Sequence, residues 1–375
     1  MKPEITNIPI ASLASGDRLF LKLYTFVGHQ PGKKVYIQAN LHGAEIAGNA
    51  VIHELIKFFQ QLEPEHLTGE IRMVPACNPM GMNERSHHFS SGRFNSYDGK
   101  DWNRIFWDYG RQAEDDLFEF AQINLTQDTE TVQKHYRQSI LDAFAALKEI
   151  MKSPTSVPFR EKYRHHLQSL CLDVNYVIDL HSSTNRGLNY LYYFQNRSDS
   201  ATHFLMPIGI ELDMFDEDAF DEAFIRPWLE LEEQFEFLGR NTQFDIEAYT
   251  LELGSGMTMN AHSIATGVEG IKNYLAHKHI LHMSEYPVKL SPQPMRFTRS
   301  SNLERYYAPQ GGLISTRVDL GQEVQQGQPL YELLCFSKEQ DLPTTAIVVA
   351  KRDGLVFDVS TNEALNEGEY VLGLL

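Results

Sequence analysis

Cysteine is scarce in this chain: Cys77, Cys171 and Cys335 are the only three among 375 residues. They are unclustered and odd in number, which argues against a disulfide framework and suits buried thiols in a reducing compartment. Long apolar runs are missing too, and none approaches the ~18 residues that span a bilayer. The opening segment, MKPEITNIPIASLASGD, carries Pro3, Glu4 and Asp17 and lacks the apolar core of a signal peptide. A cytoplasmic location is therefore expected. Positive charge is the third shortage: 33 Lys and Arg against 50 Asp and Glu give a formal net charge of −17, with no basic block. That balance argues against nucleic acid and against a membrane as partners; association into a homo-oligomer stays open. The acidic runs at 113–116 (AEDD) and 216–222 (DEDAFDE) read as solvated faces.

What is present is a soluble globular composition, 42% hydrophobic and 22% charged, long enough for one large core or a core plus a smaller domain. Residues 19–27 (LFLKLYTFV) read as a strand, and Gln30-Pro31-Gly32 as a turn into a second strand from Val35 to Ala39. A helix over 44–62 places Ile46, Ala50, Leu55, Phe58 and Leu62 at helical spacing, and 70–75 (EIRMVP) is a further strand. Strand, helix, strand in this order is a βαβ unit with parallel strands. Residues 86–104 are loop-like. The stretch 112–172 is mostly helical, with Ile140, Phe144, Leu147 and Met151 on one face and Ser153-Pro154 ending that helix; it reads as a surface insertion. Strands follow at 174–180 (VNYVIDL), 189–194 and 246–253 (IEAYTLEL), then a helix over 262–276. After Tyr286 and the linker Ser291-Pro292-Gln293-Pro294 come short strands with glycine turns. A loose repeat there, Gly312-Leu313-Ile314 recurring as Gly354-Leu355-Val356, suggests a small β-barrel or sandwich. The first half resembles halves of biotinyl/lipoyl-type domains but has no evident carrier lysine, so it reads as structural.

Polar groups collect at three strand ends. His42 and Glu45 in LHGAE follow the Val35 strand, His181 follows VIDL, and Glu252 sits in TLELGSG. Two imidazoles and one carboxylate with an open position form a recurrent catalytic zinc arrangement, so His42, Glu45 and His181 are candidate ligands. Such an ion supplies Lewis acidity toward water and a carbonyl oxygen, and Glu252 is the candidate proton acceptor. In RFNSYDGKDWNR, Arg93 is placed to stabilise negative charge developing on that oxygen. Asn103 and Arg104 together suit recognition of a carboxylate. Each lone histidine also has a plain reading as a surface or core residue, and a second H-x-x-E, His282 to Glu285, has no such company.

H-x-x-E at a strand end, then R-x-N-x-x-x-G-x-D-x-N-R, then a strand-end histidine, then E-x-G resembles the zinc carboxypeptidase superfamily. The HGAE and TLELGSG forms and the appended β-domain make the succinylglutamate desuccinylase/aspartoacylase family the nearest likeness. The resemblance implies a three-layer α/β/α fold with a central mixed, largely parallel sheet plus a small C-terminal all-β domain. In this division, 1–285 is the hydrolase domain with a helical insertion at 112–172, and 295–375 the β-domain. It implies one Zn2+ on His42, Glu45 and His181, Glu252 as general base, Arg93 at the scissile carbonyl, and Asn103 with Arg104 on a substrate carboxylate. The implied reaction is deacylation of a small N-acyl amino acid, the β-domain narrowing the entrance. A carboxypeptidase-type peptidase is the alternative, and a non-catalytic metal-binding protein a third reading. Trp102 departs from the leucine more usual in the family and is expected to be a packing change. Arg85 competes with Arg93 for the carbonyl, and Tyr306 or Tyr307 are candidates to complete the site.

Overall fold

The computed structural model describes all residues except 86–89, 114–115, 152–158, 216–217, 284–286, 292, 337 and 339–341, and only the backbone of residue 150. The expected helix end at Ser153-Pro154, Glu285 of the second H-x-x-E, Tyr286 and the linker residue Pro292 lie outside the described residues. The first strands are β1 (Glu4–Ser12), β2 (Arg18–Val27), β3 (Gln30–Ala39), β4 (Thr68–Val74) and β5 (Tyr176–Ser183). They are followed by β6 (Arg186–Gly187), β7 (Asn189–Tyr193), β8 (Ile208–Glu211), β9 (Glu247–Ser255) and β10 (Arg296–Arg299). The α-helices are α1 (Ala47–Gln61), α2 (Pro79–Asn83), α3 (Tyr109–Ala113), α4 (Leu117–Ile123) and α5 (Thr129–Met151), then α6 (Phe159–Gln168), α7 (Ser198–Ala201), α8 (Phe220–Phe237) and α9 (Ala261–His277). Strands β1 and β10 and helix α8 are not foreshadowed by the sequence pattern. Among the described residues no helix is long and apolar enough to cross a membrane.

Nine strands form one mixed sheet in the order β1-β2-β4-β3-β5-β9-β7-β8-β10. Its centre, β4-β3-β5-β9, is parallel, and β3-α1-β4 is the expected βαβ unit. Side chains alternate faces along a strand, and here that sorts the sequence into two cores. Val35, Ile37, Ile178, Leu180, Leu251 and Leu253 pack with α1 and α9 on one face. Tyr36, Val177 and Ala248 pack with α5, α6 and α8 on the other. Each fully buried aliphatic side chain contributes about 1.5–3 kcal/mol, so these stripes fix the register. On the α8 side the apolar row gives out toward the carboxyl ends, where Gln38, Asp179, His181, Thr250 and Glu252 take its alternate positions. Cross-strand pairing lines these up: Gln38 beside Asp179, Asp179 beside Thr250, His181 beside Glu252.

Several boundaries differ from those expected from the sequence. Strand β3 already begins at Gln30, so Gln30-Pro31-Gly32 lies inside the strand and not in a turn before it. Helix α1 starts at Ala47, so Glu45 lies in the turn before it and not in its first turn. That turn is set by other chain segments, since Ala44 donates to the Ser91 carbonyl and accepts from the Met257 amide. His181 and Glu252 lie inside β5 and β9, whose pairing runs on to Ser183 and Ser255. Of the acidic runs, Glu114, Asp115, Asp216 and Glu217 lie outside the described residues, and Asp221 and Glu222 do not form a solvated face: they are buried at 4% and 3% exposure, because the unforeseen α8 turns its first residues inward.

The C-terminal strands are β11 (Glu304–Tyr307), β12 (Gly312–Arg317), β13 (Glu323–Val324) and β14 (Pro329–Cys335), then β15 (Thr344–Val349), β16 (Gly354–Val359), β17 (Ala364–Leu365) and β18 (Tyr370–Leu374). They form two sheets, β11-β18-β16-β13 and β15-β14-β12-β17, around a core that includes Tyr306, Val324, Leu333, Val356 and Leu372. The first sheet is extended by β6, which pairs with β16. This joins the C-terminal strands to the turn that directly follows β5.

Candidate metal and catalytic site

Asn40, just past β3, adopts a left-handed backbone (φ 72°) and donates from its side chain to the carbonyls of His42 and Gly43. Asparagine is among the few side chains that tolerate this conformation. It turns the chain off the strand, so that His42 faces inward. Gly43 then crosses Gly81 and Gly92 so closely that a Cβ on it would sit 2.0 Å from the Gly81 carbonyl oxygen. Only glycine fits this crossing, and the Gly43 amide bonds to the Gly92 carbonyl at 3.1 Å. The crossing brings Arg93 beside His42. The stretch from Arg93 to Trp102 closes on itself, the Trp102 amide bonding to the Arg93 carbonyl, and this sets Asp101 next to Arg93.

The three candidate ligands converge. Nδ1 of His42 is 2.9 Å from Oε1 of Glu45, and Nδ1 of His181 is 2.8 Å from Oε2. All three residues are buried and offer one atom each within 4.8 Å of one another. The opposite ring nitrogens each face a second carboxylate: His42 Nε2 lies 3.0 Å from Asp101, and His181 Nε2 3.1 Å from Asp179. Carboxylates behind metal-binding imidazoles fix the tautomer and leave the other nitrogen as the ligand. Both Asp179 oxygens and His181 Nε2 are sealed from solvent without an aligned hydrogen bond. With Glu45, Asp101, Asp179 and Glu252 crowded round Arg93 and two histidines, the cluster is short of positive charge. A nitrogen/oxygen donor set in that state fits a divalent metal ion.

The titration of these groups follows from their neighbours. Burial would raise the Glu45 carboxyl, but His42 and His181 outweigh it and hold it well below the usual range. Burial likewise works against Asp101, which His42, Arg93 and the Asn103 amide hold low. For His181 burial disfavours the cation, yet Asp179 and Glu45 raise its pKa well above the ordinary value. Glu252 goes the other way. Burial pushes it up to about 8, His181 and Arg93 pull it down, and Glu45 and Asp358 push it up. Its residue surface still opens partly to the cleft, while Oε2 is sealed and unpartnered.

A cleft of about 600 Å³ takes in His42, Glu45, Arg93, Asn103, Arg104, His181 and Glu252, so the seven sequence candidates share one cavity. Arg93 Nε is ion-paired to Asp101 at 2.9 Å and its Nη1 lies 3.5 Å from His42 Nδ1. Arg85 is exposed, bonds to the Met82 and Glu84 carbonyls, and is not part of the cleft. Asn103 has one end committed, its Oδ1 accepting from the Phe220 amide at the start of α8. Its amide NH2 is thereby the end left for a ligand. Trp102 is buried against Tyr163, which is packing as expected. Tyr307 lines the cleft, whereas Tyr306 is buried and accepts from the Lys351 amide.

Several residues that line the cleft (Asp221, Arg305) or support its walls (Asp101, Asp179, Asp358) are not among the sequence candidates. Asp179 had a legible signal, because strand alternation puts it on the face of His181. Asp101 lies inside the R-x-N-x-x-x-G-x-D-x-N-R motif. Asp221, Arg305 and Asp358 had none. Asp221 bonds to Thr250 at 2.7 Å and burial raises its carboxyl. Arg305 comes from β11. Asp358 of β16 accepts from Ser183 and, at 3.0 Å, from Asn185, the turn that follows His181.

Residues 31–142 match the sequence profile described as the succinylglutamate desuccinylase/aspartoacylase catalytic domain. No curated protein gives a match. Among solved structures, a succinylglutamate desuccinylase/aspartoacylase family protein of Shewanella amazonensis has 28% identity and a TM-score of 0.86, over 99% of this chain and 98% of that one. A counterpart from Shewanella frigidimarina gives 24% and 0.88 over 100% and 97%. The product-bound ectoine utilization protein EutE of Ruegeria pomeroyi gives 17% and 0.67 over 100% and 95%. The last two share the fold.

Proposed function

From a chain of the succinylglutamate desuccinylase/aspartoacylase family, we propose a zinc-dependent amidohydrolase that removes the acyl group from an N-acyl amino acid or a similar small carboxylate-bearing amide. The observation that carries this reading is the convergence of four separated sequence stretches on one cleft, with His181 and Glu252 paired side by side across β5 and β9. His42, Glu45 and His181 hold the ion, which when bound supplies Lewis acidity toward water and the amide carbonyl. Glu252 takes the proton from the attacking water and delivers it to the leaving amine. Its raised pKa suits a group that must both accept and return a proton near neutral pH. Arg93, aimed by Asp101, faces the carbonyl oxygen as negative charge develops there. Arg104 and the Asn103 amide hold the substrate carboxylate. We place residues 1–285 in the hydrolase domain with 112–172 as its insertion, and the β-domain in 295–375 from β11 onward, because β10 (Arg296–Arg299) pairs with β8 as the edge of the hydrolase sheet. A cytoplasmic location is supported by three buried cysteines left as free thiols.

A peptidase of the carboxypeptidase type has one observation in its favour. A second cavity of about 560 Å³ adjoins the cleft at Arg93, Tyr190, Tyr192 and Arg305, room for a longer substrate. Zinc-loaded protein assayed against a panel of N-acyl amino acids and short peptides separates the two. Release of free acid from acyl amino acids alone supports the deacylase; cleavage of peptides alone overturns it.

A further inference from the structure

We propose that the C-terminal sheets carry a binding site for a small oxyanion, built by Arg317 of β12 and Arg186 of β6 and separate from the metal cleft. Arg317 Nη1 is sealed from solvent and has no hydrogen-bond partner. A buried donor left unmatched is costly, more so on a charged group. Arg186 is close enough to oppose the charge of Arg317. Both arginines border a polar cavity of about 180 Å³, together with Ser315, Thr316, Asp319 and Glu363. Glu363 supports the Arg317 charge from a distance, yet neither acid forms an ion pair with either arginine among the described residues. Two guanidiniums facing one small polar cavity match the forked geometry of a phosphate, sulfate or carboxylate group. The pairing of β12 with β14 shifts register between Ile314 and Thr316, both of which line this cavity.

The site is also placed to act on the cleft. Arg186 pairs with Val359 and Gly187 with Asp358, and Asp358 holds Ser183 and Asn185 of the cleft wall. An oxyanion clamped between Arg186 and Arg317 ties this turn to β12 and stiffens it. This inference does not depend on the deacylase reading.

The test is thermal unfolding of the full chain with inorganic phosphate or acetate, against chloride at equal ionic strength. A saturable rise in Tm is expected, with half-saturation weakened about tenfold or more in Arg317→Gln and Arg186→Gln, and with anion-free hydrolysis unchanged in both. Response to phosphate alone assigns a phosphate-type ligand, and response to acetate assigns a carboxylate such as a released acid. In Arg104→Gln the rise should persist. No rise beyond chloride overturns the proposal, as does a rise that survives both arginine substitutions. If Arg317→Gln does not fold, Arg186→Gln, at an exposed position of the short strand β6, decides the question by the same weakening.

Discussion

Glu247 and Glu252 lie on the same strand, β9, near its amino and carboxyl ends and on opposite faces of the sheet. Glu247 is buried at 5% exposure and accepts from Ser200, Tyr249, Tyr274 and Lys278 at 2.7–3.1 Å. Glu252 faces the cleft with Oε2 sealed and unmatched and its carboxyl pushed up to about 8. Buried polar groups are normally satisfied. The first carboxylate is therefore part of the fold, and the second is held ready for something the protein chain does not itself supply. The same strand serves both ends because burial is not what separates them; the count of donors is.

The sharpest way to break this contrast is Glu252→Gln. Turnover should fall by about 10²–10⁴-fold, the usual worth of a general base, while zinc stays stoichiometric. Full turnover in this variant would remove Glu252 from the chemistry. His181→Ala should abolish tight metal binding, and normal zinc affinity there would sink the ligand assignment. Asp179→Asn is milder. It leaves all three ligands but loosens the ring of His181, so metal affinity measured by chelator competition should drop about 10–100-fold. No change would mean that Asp179 only fills space.

The contrast also fixes a pH dependence. Glu252 rises from 4.5 to about 8 in the metal-free fold. An acid so raised keeps its proton when folded after the unfolded chain has lost it, so folding weakens as pH climbs between those values. His181, raised above 6.5, contributes stability below that value, which is lost as pH rises through its folded pKa. The two act in one direction. His165, His166, His203 and His277, lowered below 6.5 by burial, act the other way up to that value, so with chelator present Tm should fall above about pH 6.5 and toward about pH 8. A bound cation replaces the His181 proton and lowers Glu252, so metal uptake should release protons and flatten the decline. Calorimetry in buffers of different ionisation enthalpy reads the release. A chelated protein whose Tm rises over this range would contradict the charge assignments.

The central sheet was legible because its strands are apolar in alternation and α1 and α9 keep helical spacing, so β4, β5 and β9 fell close to their observed ranges; β3 runs five residues further back, to Gln30, through residues whose Pro-Gly chemistry reads as a turn. Boundaries at the site were not, since the turn holding Glu45 is made by Ser91 and Met257, remote in sequence. Asp221 and Glu222 were misread because charge count suggests solvent, and nothing local reveals that α8 turns its first residues inward. The ligands and Glu252 were legible through motif order. Asp358 was not, because its role exists only through the pairing of β6 with β16. What a motif cannot carry is a contact between elements that the fold alone brings together.

Glu247→Gln should produce the smallest effect and the most diagnostic one. The isosteric amide keeps the shape of the pocket and, with its oxygen at the Oε2 position, an acceptor for Tyr249 and Tyr274, but it loses the charge opposite Lys278 and turns a donor toward Ser200 and Lys278. Lys278 keeps a second partner, Asp245 at 3.2 Å. The loss should therefore lie toward the lower end of the about 1–3 kcal/mol typical of an unmatched buried group, read as a lower denaturant midpoint. Activity per folded molecule should not change, because Glu247 lies on the face opposite the cleft. If instead kcat/KM falls while the midpoint holds, the two ends of β9 are coupled, and donor count no longer distinguishes the carboxylate that builds the fold from the one that works in it.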